Sequence, residues 1–305
     1  MGRNVLLLVN QNKPDAVAAE REVRALIERH GSLVARLDAA GPMTIPDTGF
    51  DLVVVMGGDG TLLAAARACA DRGVPLLGVN LGSVGFMAEF DLETLSDQAA
   101  SVFGRGELAT QRAPVIHAAI RGPDGAGGLE KPRAEEIALN EFVVTAGPPY
   151  KMVAIRMELD GSPGPRVVGD GLIVRTPTGS TAYNVSAGGP IVSPNVGAYV
   201  VTPIAAHSLS FRPIVIPFGT SLALTIERAN EVDIVGADGD CVPAESHGTT
   251  LMGDGQVNHR LHEGDRIEIG LSPTPIHLVL SGETTYWQTL MEKMRWATPP
   301  QSRGR

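Results

Sequence analysis

Cysteine, aromatic residues and clustered positive charge are all scarce in this chain, and each scarcity removes a class of function. Only two cysteines occur in 305 residues, Cys69 and Cys241, and neither has a CxxC partner. That pattern gives neither a disulfide framework nor a cysteine zinc site, and it suits a reducing compartment with two inert, buried thiols. Basic residues number 25 against 34 acidic ones, for a net charge of −9, and no Lys/Arg run exceeds two residues. Neither nucleic acid nor an anionic membrane is therefore an expected partner, and an anionic ligand needs local help to bind. The apolar run Val5 to Val9 is too short for a signal core or a membrane span, and none is longer. A cytoplasmic protein is expected. Aromatics make up 4 % of the chain, while Gly (36) and Pro (22) are plentiful. The core must rest on Val, Ile, Leu and Ala, with many turns between short elements.

The length suits two domains. Asn4 to Asn10 is a continuous apolar run between polar residues, as in a strand buried on both faces of a parallel sheet. Pro14 then opens a helix on which Val17, Val23, Leu26 and Ile27 fall to one side, with Gly31 as its stop. Strand and helix go on alternating through LVARL, DLVVVM, LLAAARACADRG, PLLGVN and a helix over Leu92 to Phe103. This predicts a doubly wound, Rossmann-like or phosphofructokinase-like α/β domain over residues 1–111, completed by a C-terminal helix within 285–305. From Ala113 the texture changes to short β-rich runs separated by Gly, Pro and Asp, which predicts an all-β sandwich over residues 112–284. The Gly-rich, charged stretch 122–136 reads as an exposed hairpin extension, and Thr289 to Trp296 as the last helix.

Gly57-Gly58-Asp59-Gly60-Thr61 follows the strand DLVVVM and precedes a helix, at the carboxyl end of a strand where open α/β sheets place ligands. Glycines let backbone N–H groups approach phosphate oxygens, and a helix N-terminus favours their charge. Bound phosphates repel the carboxylate of Asp59, so its presence points to aligning, or taking a proton from, an attacking hydroxyl. The plainer alternative is a tight turn with Asp59 near the N-cap. The loop matches neither GxxxxGK[ST] nor GxGxxG; it resembles the GGDGT signature of NAD kinases, lipid kinases and, in variant form, phosphofructokinases.

Asn140-Glu141 interrupts an apolar strand run, and a buried polar pair needs partners: an adenine edge and ribose hydroxyls, or nearby backbone. Gly169 to Asn184 (GDGLIVRTPTGSTAYN) strings together Asp170, a short apolar strand, a Pro-Thr-Gly turn and then Ser180, Thr181, Ala182 and Tyr183, with Ser186 beyond. Small hydroxyl residues beside glycine admit a planar base, and Tyr can stack on it. These sixteen residues resemble the hallmark segment of the NAD kinase family. The resemblance extends, in order and spacing, over GVNLGSVGFMAEF at 78–90, LNE at 139–141, SAGGPIVSP at 186–194, TPIAAHSLSFRPIVIP at 202–217 and DGQ at 254–256.

The resemblance implies a kinase that phosphorylates NAD at the 2′-hydroxyl of its adenosine ribose, using ATP or polyphosphate, with Mg²⁺ arriving on the donor. It implies Asp59 as the group that orients or deprotonates that hydroxyl, with Gly57, Gly58, Gly60 and Thr61 around the phosphates. Asn140, Glu141 and Asp170 would hold the two ends of NAD. Ser180, Thr181, Ala182, Tyr183, Asn184 and Ser186 would frame the adenine, and Ala205 would come from a neighbouring subunit of a homodimer or homotetramer. Lys151 stands where relatives often have His, and Val168 where many have Arg. Gln256, in the DGQ triplet, follows what reads as an insertion over 237–253. His207 and Arg212 could reach a phosphate or nicotinamide, or serve structurally, and the same choice holds for Arg175. His247, His259 and His262 match no zinc spacing, so no protein-held metal is expected. A lipid kinase sharing the loop, and a non-catalytic dinucleotide-binding regulator, are the competing readings.

Overall fold

The computed structural model describes residues 2–82, 85–125, 128–208, 210–231 and 248–296, the Ser180 side chain excepted. It divides into two compact units, Met1–Arg112 with Ile276–Arg305, and Ala113–Pro275.

The first unit runs β1 (Asn4–Val9), α1 (Pro14–His30), β2 (Ser32–Asp38), β3 (Leu52–Met56), α2 (Asp59–Ala68), β4 (Leu76–Val79), α3 (Leu92–Phe103) and β5 (Thr110–Ala113). Strands of the second unit are β6 (Ile116–Arg121), β7 (Ala134–Ala138), β8 (Glu141–Thr145), β9 (Val153–Leu159), β10 (Ser162–Gly169) and β11 (Gly171–Arg175). A 3₁₀ turn (Thr178–Thr181) and the one-turn α4 (Tyr183–Ser186) follow, then β12 (Ala198–Ile204), β13 (Ile214–Pro217), β14 (Leu222–Arg228), β15 (Thr250–Gly253), β16 (Val257–Arg260) and β17 (Arg266–Leu271). The chain then returns to the first unit with β18 (Ile276–Val279) and α5 (Tyr286–Lys293).

The first sheet has the order β2-β1-β3-β4-β18-β5, with β1, β2, β3, β4 and β18 pairing in parallel. Every residue of β3 is buried, as is every residue of β1 after Asn4, because α1 and α3 pack on one face while Leu62, Ala65 and Ala66 of α2 are also buried. The buried stripe of α1 is Ala16, Ala19, Val23, Leu26 and Ile27. Val17, expected on that stripe, is 44 % exposed: it lies one residue, about 100° of helical turn, off the Ala16 row.

In the second unit two six-stranded antiparallel sheets, β10-β9-β14-β17-β6-β7 and β13-β12-β11-β8-β15-β16, bury alternate residues against one another. Ile155, Leu224 and Ile267 of one face share a core with Phe142, Leu172, Val174 and Val201 of the other, which makes a sandwich. The fold class read from the sequence therefore holds in both halves. The second unit stops at Pro275, short of the 284 expected, because β18 pairs in parallel with β4 of the first sheet. The last helix starts three residues earlier than expected, since Thr285 and Gln288 form a reciprocal capping box at its N-terminus.

Candidate active site

The turn from β3 into α2 is built around Gly57. A Cβ there would lie 2.5 Å from the Thr61 hydroxyl oxygen, so no side chain is tolerated. Thr61 is buried and its hydroxyl accepts from the Asn10 amide at 2.8 Å, which gives it a structural role in holding the turn. At Gly58 and Gly60, by contrast, a Cβ would meet nothing within 4 Å. A cavity of about 190 Å³ opens beside the turn, lined by Gly57, Gly58, Asn80, Gly82, Asp15 and Lys13. The N-terminus of α2 supplies partial positive charge nearby, and exposed Lys13 provides the cation that the loop itself lacks. No sequence pattern had marked Lys13, because it comes from the β1–α1 turn and not from the loop.

Asp59 is the first residue of α2, and its carboxylate faces the segment Gly85 to Ala88. It accepts from three consecutive backbone amides: Phe86 at 2.9 Å, Met87 at 3.2 Å and Ala88 at 3.1 Å. GGDGT and GVNLGSVGFMAEF, separate motifs in the sequence, are thereby joined through one side chain.

In the second unit Asn140 lies in the bend between β7 and β8, and Glu141 opens β8. The Asp254 carboxylate, from the β15–β16 turn, accepts from the amides of Leu139 and Asn140, both at 2.8 Å, and Glu141 at 3.1 Å. On the other side the Thr176 amide donates to the Asn140 carbonyl at 2.9 Å, and a Cβ on Gly179 would lie 2.7 Å from that same oxygen. The LNE and TPTGSTAYN motifs are thus packed backbone to backbone. Glu141 is only 7 % exposed, and among the described residues its Oε2 has no hydrogen-bond partner. Burial, with the nearby Asp254 charge adding to it and Arg175 opposing it, pushes the Glu141 carboxyl up to about 7.

Arg175 is fully buried and donates to the carbonyls of Thr176 and Pro190, so it braces the turn from within. Asn184 is also fully buried, its amide donating to Pro190 and its oxygen accepting from the Thr202 hydroxyl at 2.7 Å. Thr181 and Ala182 are half-buried, Ser186 is exposed and Tyr183 is 43 % exposed. Gln256, exposed, shares the β15–β16 turn with Asp254.

Asp170, Lys151, Ala205 and His207 do not join this cluster. The Asp170 carbonyl accepts from Ala146 and its amide donates to Ile204, at the end of β11 opposite Arg175. Five residues of strand at about 3.3 Å each separate them, roughly 16 Å. His207 donates its amide to Val168 and Ala205 follows β12 directly, while Asn230 links the carbonyls of Ala146 and Lys151. All four side chains are exposed at that far end. His259 pairs with Glu136 and His262 with Glu231, while His247, Cys241 and most of the insertion lie outside the described residues. Among the described residues no His, Cys, Asp or Glu cluster is arranged to hold a metal, and no helix is long and apolar enough to cross a membrane.

A doubly wound α/β unit with a glycine–aspartate turn at the start of α2 is joined in sequence to a β-sandwich. Two sequence families match: "ATP-NAD kinase N-terminal domain" over residues 40–107 and "ATP-NAD kinase C-terminal domain" over residues 139–281. The chain belongs to the NAD kinase family, whose members convert NAD to NADP. It is 32 % identical to the NAD kinase of Rhodopirellula baltica over 96 % of this chain and 86 % of that one. With the NAD kinase of Acidobacterium capsulatum it shares 34 % identity over 96 % and 99 %. In fold it is similar to yeast NADH kinase solved with NADH, at a TM-score of 0.78, 20 % identity and coverage of 99 % and 90 %. An Archaeoglobus fulgidus NAD kinase solved with ATP gives a TM-score of 0.70 at 23 % identity, with 95 % and 98 % covered.

Proposed function

We propose that this chain transfers the terminal phosphoryl group of ATP to the 2′-hydroxyl of the adenosine ribose of NAD, with Asp59 as the residue that meets that hydroxyl. The supporting observation is the Asn140–Glu141 segment, packed under the Gly179 turn and keeping a buried carboxylate oxygen that has no partner among the described residues. An ionised carboxylate in that state suits a pair of ribose hydroxyls, and it is too costly to leave unmatched otherwise. Thr181, Ala182 and Ser186, with Ser180, frame the adenine, and Tyr183 offers its exposed ring for stacking. Asn184 acts indirectly, by tying the turn to Thr202 and Pro190.

The donor's phosphates occupy the cavity beside Gly57 and Gly58, where the start of α2 and Lys13 favour negative charge. Asp15 and Asn80 also line it, and Mg²⁺ brought by ATP would supply charge neutralisation there. Asp59, fixed by three amides, orients or deprotonates the acceptor, and alignment supplies most of the rate. Asp170 lies at the far end of β11, about 16 Å along the strand from Arg175, and in this reading it serves, with the exposed Lys151, Ala205 and His207, the dinucleotide held by a second copy in a homodimer or homotetramer. The scarcity of cysteine supports a cytoplasmic setting.

A coupled assay of NADP formation tests this, with ATP and polyphosphate as donors and diacylglycerol as a competing acceptor. NADP formed from ATP, with no transfer to diacylglycerol, is the expected result. Transfer to the lipid, or to neither acceptor, overturns the reading.

A further inference from the structure

Between β7 and β8 the backbone leaves the ladder at Leu139 and Asn140, so the amides of 139, 140 and 141 need partners other than a neighbouring strand. All three point at one carboxylate. Asp254 Oδ2 takes Leu139 at 2.8 Å, Oδ1 takes Asn140 at 2.8 Å and Glu141 at 3.1 Å, and the Asp254 amide returns a bond to the Glu141 carbonyl at 3.0 Å. The four contacts make Asp254 a clasp across the β8–β15 pairing, where Gly253 faces Phe142. Asp254 itself has φ +51, a left-handed conformation that a non-glycine residue adopts at a cost, so the turn is shaped to aim this side chain.

We propose that Asp254 is a positioning residue for NAD: by holding the backbone of Leu139–Glu141, it sets where Asn140 and Glu141 present their side chains to the dinucleotide. The inference rests on the reading above, in which those two residues hold NAD. The charged groups facing Glu141 are Asp254 from the β15–β16 turn and Arg175 from β11. Asp254 therefore acts in two ways, fixing geometry through its bonds to the amides and opposing the ionisation of Glu141 through its charge. The second effect separates a positioning role from mere support of the fold. If ionised Glu141 accepts from ribose hydroxyls, NAD affinity in the intact enzyme rises with pH through about 7, and removing the Asp254 charge moves that rise to lower pH.

The test compares Asp254→Asn, Asp254→Glu and Glu141→Gln in the full chain. Readouts are KM for NAD, KM for ATP, thermal midpoint, and the pH dependence of NAD affinity. Asp254→Asn should raise the KM for NAD about tenfold or more while the KM for ATP stays within about twofold, since a small misplacement of binding groups is costly. Its NAD-affinity profile should shift to lower pH; Asp254→Glu, which keeps the charge, should recover the wild-type profile and part of the KM. Equal changes in both KM values, or an unmoved pH profile in Asp254→Asn, overturn the inference. Should Asp254→Asn fail to fold, the Glu variant decides: a wild-type KM for NAD in it shows that amide geometry does not matter and overturns the inference. Glu141→Gln distinguishes the two levels: if it leaves NAD binding intact the functional reading fails, whereas a loss there with no effect at Asp254 sinks only the positioning role.

Discussion

Gly85 lies so close to the Asp59 carboxylate that a Cβ at position 85 would sit 2.1 Å from Asp59 Oδ1. Glycine is needed there to let three amides reach one side chain, and the carboxylate is fixed as a result. Gly85→Ala should therefore push the 86–88 segment away and free Asp59 to change rotamer. The expected outcome is a fall in kcat of about 10²-fold, the scale of an angstrom-level misplacement, with KM for NAD changed far less. Steady-state kinetics alongside a melting curve check it; a drop in melting temperature with normal kcat would make the contact merely structural.

The buried Glu141 carboxyl gives a stability signature. Its pKa is raised to about 7 in the folded chain from an ordinary 4.5, so the folded state keeps a proton that the unfolded state releases. The protonated state's advantage is complete below about pH 4.5 and is lost as pH rises through about 7, a swing on the order of 3 kcal/mol. Glu141→Gln should consequently gain stability over wild type at pH 8 and show little gain at pH 5. Urea unfolding at the two pH values measures this, and a pH-independent difference would contradict it.

Thr202 and Asn184 form a fully buried pair under the turn that carries Tyr183. Thr202→Val keeps the shape and removes this buried hydrogen bond to Asn184, at a cost of about 1–3 kcal/mol. Thermal denaturation should show the loss, and the KM for NAD should rise as the turn loosens. An unchanged melting point would mean that Asn184 finds another donor.

Much of this was legible in the sequence. The double-sided burial of β1 and β3 follows from unbroken runs such as VLLLV and LVVVM, and the loop at Gly57–Thr61 was marked by its place between strand and helix. Partners remote in sequence were not legible: nothing local says that Asp59 binds the amides of 86–88, or that Asp254 clasps residues 139–141, since both contacts arise from chain pairing across long separations. The resemblance implies Asn184 as part of the adenine frame, yet its side chain is fully buried and bonded to Pro190 and Thr202. Likewise the motif GDGLIVRTPTGS reads as one site, but its middle is a strand, so Asp170 and Gly179 end up at opposite ends of β11.

The central claim is that Asp59 acts on the acceptor hydroxyl and contributes little to holding NAD. Asp59→Asn, assayed for NADP formation from ATP and for NAD binding by calorimetry, tests it most directly. Turnover should fall about 10²–10⁴-fold, the range for a lost acid–base or aligning group, while the Kd for NAD stays within about threefold. Comparable losses in both, at an unchanged melting temperature, would contradict the account.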